Sequence, residues 1–183
     1  TNSYGRGFSF MPLVNLEAGT EIFFTDNGWS DVEGKFIVDT GISDKFVKYT
    51  APGAITAGTV IRDDSYANAG FAFHFSYTSA TDDQGYFGGL GGLSQSDEML
   101  IFQGSIAAPN FIFAMTYVST NITPTGWGVN VPLSGTDGGG AGSAVPGTGN
   151  ASVTDLVDGV TALAFKCAAS TNDNSAYVGA TTP

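Results

Sequence analysis

The sequence has little of three things that many functions require: it holds one cysteine, one histidine and only six Lys plus Arg in 183 residues. A single cysteine, Cys167, excludes an internal disulfide and any metal site built from several cysteines. A single histidine, His74, also excludes the Cys–His patterns that hold structural zinc. Disulfide-stapled scaffolds and zinc modules are therefore not candidates.

Positive charge is scarce and unevenly placed. No Lys or Arg occurs between Arg62 and Lys166, and the formal net charge is −11. Because contacts to phosphate depend on cationic side chains, we expect neither a nucleic-acid partner nor an anionic membrane surface as partner. The longest apolar-looking run, Ile106–Met115, is too short to span a bilayer and is interrupted by Pro109 and Asn110, so we expect no membrane insertion.

Charged residues make up only 13% of the chain, whereas hydrophobic residues make up an ordinary 42%. The length suits a single β-domain over residues 1–183. The first residue is Thr1 rather than Met, and we expect a mature or trimmed product. We therefore expect an acidic exterior with few charged side chains, which favours contact with other molecules.

The periodicity is that of β-strands. Aromatic and large apolar residues alternate with smaller ones in two stretches, at Phe71, Phe73, Phe75 and Tyr77, and at Phe111, Phe113, Met115 and Tyr117. The second stretch is apolar on both faces, which predicts a central strand. The only short helix that the pattern allows lies near residues 152–158. We predict an all-β fold, a sandwich or flattened barrel of about 8–12 short, mostly antiparallel strands.

Two segments of the chain resemble each other. Leu16–Ile22 and Ile55–Ile61 both begin with an apolar residue, continue through Ala-Gly-Thr and end in an apolar strand. This pattern predicts a tight turn in which Gly19 and Gly58 adopt positive φ. With only two copies, we interpret it as a repeated entry into a strand pair rather than a solenoid.

Two glycine-rich tracts, residues 85–93 and 134–150, are predicted to be loops. The first lacks the Gly-Lys-Ser/Thr ending of a phosphate-binding loop. Both are almost uncharged, so their desolvation on contact with another molecule costs little. We expect assembly contacts in these loops and at the chain termini, and the side chains proposed for them are Tyr86, Phe87, Leu90, Leu93 and Trp127.

Few groups suit catalysis. His74 lies in the middle of a predicted strand, where a satisfied imidazole is the commoner role, and Cys167 is interpreted as a small thiol at a strand end. Neighbouring acids on a strand point to opposite faces rather than across a cleft; such pairs occur at Asp63–Asp64, Asp82–Asp83 and Asp97–Glu98. We therefore expect no catalytic residue and no enzyme activity.

The acidic residues in predicted turns make calcium the one metal ligand that the sequence suggests. Asp26, Asp82 and Asp83 lie in predicted turns with further oxygen donors, which suit Ca²⁺. The same residues also serve as ordinary turn formers, because Asp and Asn side chains bond to their own backbone. We expect no metal and no cofactor, with calcium as the one ligand to test.

The most distinctive string is Phe24-Thr25-Asp26-Asn27-Gly28-Trp29. With it, the chain resembles a β-domain of large secreted or surface proteins of bacteria. The segments that carry the resemblance in order are Phe8–Phe10, Ala18–Thr20, Phe23–Trp29, Ser96–Gly104, Pro109–Ile112, Trp127, Leu156–Val160 and Asp173–Gly179. The chain departs from that family at Glu98-Met99, where Gln and Ile are frequent, and in its long glycine loop. The resemblance implies no catalytic residues.

As a stand-alone domain the chain is also similar to the proteins that assemble the pyrenoid shell of diatoms and related algae. That resemblance implies a subunit of a protein lattice in the chloroplast pyrenoid, whereas the bacterial one implies an extracellular or cell-surface location. The expected function is a structural protein that self-associates with copies of itself into a homo-oligomeric sheet, tube or coat. The alternative is a carbohydrate-binding or calcium-dependent adhesion module with Trp29, Tyr86, Phe87 or Trp127 as stacking platform.

Overall fold

The computed structural model describes residues 9–37, 46–62, 71–74, 98–119, 127–133, 143–151 and 156–167. These residues form ten strands and, within the described ranges, no helix. The strands are β1 (Ser9–Phe10), β2 (Glu21–Thr25), β3 (Trp29–Ser30), β4 (Lys35–Phe36), β5 (Phe46–Thr50), β6 (Ile61–Arg62), β7 (Phe71–His74), β8 (Glu98–Ser105), β9 (Ala108–Ser119) and β10 (Ala162–Cys167).

Six of the strands form one main sheet in the order β10-β9-β8-β2-β5-β7, and β1-β6 and β3-β4 form two small sheets. Every pairing is antiparallel except that of β10 with β9. The all-β, mostly antiparallel class is confirmed, and β9 lies between two neighbours as its pattern predicted. The described sheet is open, with β7 and β10 at its edges, so it forms layers rather than a closed barrel. Of the predicted helix, residues 156–158 are not helical and 152–155 lie outside the described residues.

Alternation along the strands divides the buried side chains between the two faces of the main sheet. On β2, Phe23 points to one face and Ile22 and Phe24 to the other. The first face carries the Trp core, which includes Phe23, Trp29, Phe36, Phe46, Leu100, Phe102, Phe111 and Trp127. The second carries the Tyr49 core, which includes Leu16, Ile22, Phe24, Val47, Tyr49, Ile61 and Met99. Each core is covered by a different part of the chain.

A covering ribbon, residues 9–16 with 55–62, packs on the Tyr49 core. It continues the pairing of β2 with β5, because Leu16 and Ile55 exchange two backbone hydrogen bonds of 2.9 Å between that pair and the β1–β6 pair. The Phe10 ring lies 5.0 Å from that of Phe24 and 5.2 Å from that of Tyr49. This continuous antiparallel pairing thus extends beyond the main sheet and folds back over one of its faces.

The two similar segments of the sequence meet where this antiparallel pairing bends away from the main sheet. Gly19 donates to the carbonyl of Ala51 at 2.8 Å, and Gly58 donates to that of Pro12 at 2.9 Å, so the two turns are related by a local pseudo-two-fold. The predicted positive φ is confirmed at both glycines, at 81° and 83°. The repeat therefore encodes two equivalent turns that carry the chain from the sheet into its cover.

The Trp core is covered by the β3–β4 hairpin and by irregular segments at 127–133 and 143–150. The second glycine-rich tract contributes to this cover, since Ser143 and Ala144 are fully buried. The described part of that tract is consequently a packed segment against the core rather than a surface contact; residues 134–142 lie outside the described residues.

Candidate functional site

The Phe-Thr-Asp-Asn-Gly-Trp motif lies at the end of β2, where the chain leaves the main sheet. Phe24 belongs to the Tyr49 core, while Thr25, Asp26 and Asn27 are also buried. The Thr25 hydroxyl oxygen accepts hydrogen bonds from the Asn27 backbone N–H at 3.0 Å and from Asn27 Nδ2 at 2.7 Å. The Thr25 hydroxyl thus holds Asn27 in place inside the protein.

Trp29, the last residue of the motif, fixes the segment 143–148 to the hairpin. Its backbone N–H donates to Ser143 Oγ at 3.0 Å, and its carbonyl accepts from the Ala144 N–H at 2.8 Å. Its indole Nε1 donates to the carbonyl of Thr148 at 2.8 Å. The ring packs edge-on against Phe36 and Phe111. The motif is accordingly part of the structural core.

The proposed contact residue Trp127 is also in the core. Trp127 is 2% exposed and Trp29 is 1% exposed, so neither ring offers a face to a sugar or a second molecule. Trp127 is therefore a core residue and not an exposed assembly contact or stacking platform. Sequence alone did not reveal this, because its flanking residues are Gly and polar residues typical of a loop. The other proposed contacts, Tyr86, Phe87, Leu90 and Leu93, lie outside the described residues.

The described residues hold no group of three or more His, Cys, Asp or Glu placed to bind a metal ion. Asp26 is buried, and Asp82 and Asp83 lie outside the described ranges. His74 ends β7 and Cys167 ends β10, so the two residues lie on opposite edges of the main sheet. Glu98 begins β8 and is fully buried.

No helix in the described ranges is long and apolar enough to cross a membrane.

The covering ribbon presents an apolar surface to solvent. Four large side chains are exposed on it, Met11, Leu13, Val14 and Val60, and Leu13 is 71% exposed. Residues 9–16 and 55–61 contain no charged residue. The backbone beneath is ordered by the Gly58–Pro12 hydrogen bond and by a bond of 2.9 Å from the Ala57 N–H to Asn15 Oδ1. We call these four side chains the ribbon surface.

A second apolar group lies on the cover of the Trp core. Val32, Val129 and Leu133 are exposed, Val129 by 74%. Asp31 and Glu33 on either side of Val32 accept hydrogen bonds from backbone N–H groups of the segment that carries Val129 and Leu133. We call Val32, Val129 and Leu133 the loop surface.

Sequence reasoning missed both surfaces. For the ribbon surface the uncharged run Met11-Pro12-Leu13-Val14 was the only signal, and a run of apolar residues also describes a buried segment. The isolated residues Val32, Val129 and Leu133 gave no signal for the loop surface. Exposure depends on which side of the ribbon faces the sheet, and this is decided by long-range packing.

Comparisons with known proteins add no relative: no family model matches the chain, no curated protein matches it and no solved structure matches it.

Proposed function

We propose that this protein is a non-enzymatic structural subunit that associates with copies of itself, with the ribbon surface as its principal contact. What supports the proposal is a single observation: four large apolar side chains are exposed together on a ribbon that carries no charge between residues 9 and 16 or between 55 and 61. Burying such side chains against a partner is favourable, at about 25 cal/mol per Å² of apolar surface removed from water.

The distribution of charge favours a second copy of the chain as the partner on this surface. The chain carries a net charge of −11, so two copies repel each other over most of their surfaces. Residues 9–16 and 55–61 contribute no acid to a contact at the ribbon surface, and the remaining repulsion is screened beyond about 8 Å at physiological ionic strength. Residues 9–16 and 55–61 of the ribbon carry no charge, so self-association through them costs little electrostatic energy.

The assembly we propose is a sheet, tube or coat. The similarity to pyrenoid shell proteins makes a shell around that compartment the specific form of the proposal. The contact predicted from the sequence in the glycine-rich loop, with Tyr86, Phe87, Leu90 and Leu93, stays a prediction and is not one of the contacts in this proposal. Trp127 is buried and no longer belongs to that set.

Light scattering over a range of concentrations at moderate salt tests the proposal, with negative-stain electron microscopy of the same samples. We expect a mass that rises with concentration, and ordered sheets, tubes or curved fragments. A Leu13→Asp/Val14→Asp double variant should lower the mass, and Val157→Asp/Val160→Asp, which alters two other exposed valines, should not. A wild-type chain that stays monomeric at high concentration would overturn the proposal.

A further inference from the structure

The loop surface lies on the opposite side of the main sheet from the ribbon surface. Val32 belongs to the β3–β4 hairpin and Val129 and Leu133 to the segment 127–133, both of which cover the Trp core. The ribbon surface instead belongs to the cover of the Tyr49 core. One subunit therefore presents apolar side chains on both sides of its sheet.

The loop surface is held in place by two carboxylates. Asp31 Oδ2 accepts a hydrogen bond of 2.9 Å from the Asn130 N–H, and Asp31 Oδ1 accepts one of 2.6 Å from the Val131 N–H. Glu33 Oε2 accepts from the Leu133 N–H at 3.1 Å and from the Ser30 hydroxyl. Because the backbone is fixed before any partner arrives, binding at this surface incurs little further loss of conformational entropy.

Charged side chains of both signs lie close to Val32 in the sequence. Lys35 is exposed, and in the described part of the chain it forms no ion pair with Asp31 or Glu33. Among the described residues, both carboxylates accept hydrogen bonds from backbone N–H groups, and Glu33 also accepts one from the Ser30 hydroxyl. In a two-fold contact the same patch meets itself, and each cation can then face the acids of the other copy.

We propose that the loop surface is a second self-association contact, in which Val32, Val129 and Leu133 pack on the same residues of a second copy about a two-fold axis. Lys35 of each copy pairs there with Asp31 and Glu33 of the other. This inference rests on the proposed function. The ribbon surface is taken to meet its own copy about a two-fold axis as well. Two such contacts on opposite sides of each sheet produce an assembly that grows, whereas either contact alone stops at a dimer.

Three double variants with matched charge test this arrangement by light scattering. Val32→Asp/Val129→Asp alters the loop surface, Leu13→Asp/Val14→Asp alters the ribbon surface, and Val157→Asp/Val160→Asp is the control on neither. We expect each of the first two to stop at the mass of a dimer, their combination to be monomeric, and the control to assemble as the wild type does.

The ion pairs are tested with substitutions at Lys35. Lys35→Glu should stop assembly at the dimer, and Lys35→Arg should assemble as the wild type does, because it keeps the charge. Wild-type growth in both Lys35→Glu and the loop-surface variant would overturn this inference and leave the proposed function standing. A monomeric wild type would overturn both.

Discussion

Asp31 and Val131 are joined by a hydrogen bond of 2.6 Å between the Asp31 carboxylate and the Val131 backbone N–H, across about a hundred residues of sequence. The same carboxylate accepts from Asn130, which has a positive φ of 56°. The Asp31 backbone oxygen also lies against Gly149. Asp31 therefore joins the β3–β4 hairpin to both irregular segments that cover the Trp core.

Replacing the Asp31 carboxylate should destabilise this cover. Asp31→Asn removes the charge from two hydrogen bonds, and we expect the free energy of unfolding to fall by about 1–3 kcal/mol. The measurement is urea unfolding followed by circular dichroism. Asp158→Asn, on an exposed loop, is the matched control and should change stability by less than about 0.5 kcal/mol. Equal effects of the two substitutions would contradict the role assigned to Asp31.

Gly58 and Gly149 have nearly the same positive φ but different surroundings. Substitutions at these two positions therefore distinguish backbone strain from steric clash. A Cβ at Gly149 would lie 1.8 Å from the Asp31 backbone oxygen, whereas one at Gly58 meets nothing within 4 Å. Gly58→Ala should therefore cost only the positive-φ term, about 1–2 kcal/mol. Gly149→Ala should cost at least about 2 kcal/mol more, because backbone must move. Thermal unfolding of the two variants measures this difference, and similar melting temperatures would show that segment 143–151 does not pack as described.

Trp29 should contribute through both its ring and its indole N–H. Trp29→Phe replaces the buried indole with a smaller ring and leaves the Thr148 carbonyl without its donor. We therefore expect the free energy of unfolding to fall by about 2–4 kcal/mol. Val157→Ala, at an exposed side chain outside both proposed contacts, serves as control and should stay within about 0.5 kcal/mol of wild type. Denaturant unfolding checks both, and a mild Trp29→Phe phenotype would argue against its place in the core.

Alkaline pH should weaken the Tyr49 core. Burial raises the pKa of Tyr49 above its usual value of 10.0, because desolvation disfavours the phenolate. A raised native pKa means that the unfolded chain releases its proton first, so stability is fully present below about pH 10 and declines as pH rises towards the native pKa. Urea unfolding at pH 8 to 11 should show a smaller decline in Tyr49→Phe than in wild type. Parallel declines would mean that Tyr49 is not desolvated.

The sequence by itself determined the class of the fold. Alternation of aromatic residues predicted strands, the apolar character of both faces of Phe111–Tyr117 predicted a central strand, and the Ala-Gly-Thr repeats predicted positive φ at Gly19 and Gly58. These features are local, because side-chain alternation and backbone sterics act over a few residues.

Only the tertiary structure decided which residues are exposed. Trp127 has the sequence surroundings of a surface loop but is buried, while Leu13 and Val129 have the chemistry of core residues but face solvent. Asp31 has the sequence surroundings of an ordinary turn carboxylate, although it accepts a hydrogen bond from the Val131 backbone N–H. Exposure follows from which segments fold over the two faces of the main sheet. That choice depends on contacts between residues far apart in the chain, which no local pattern encodes.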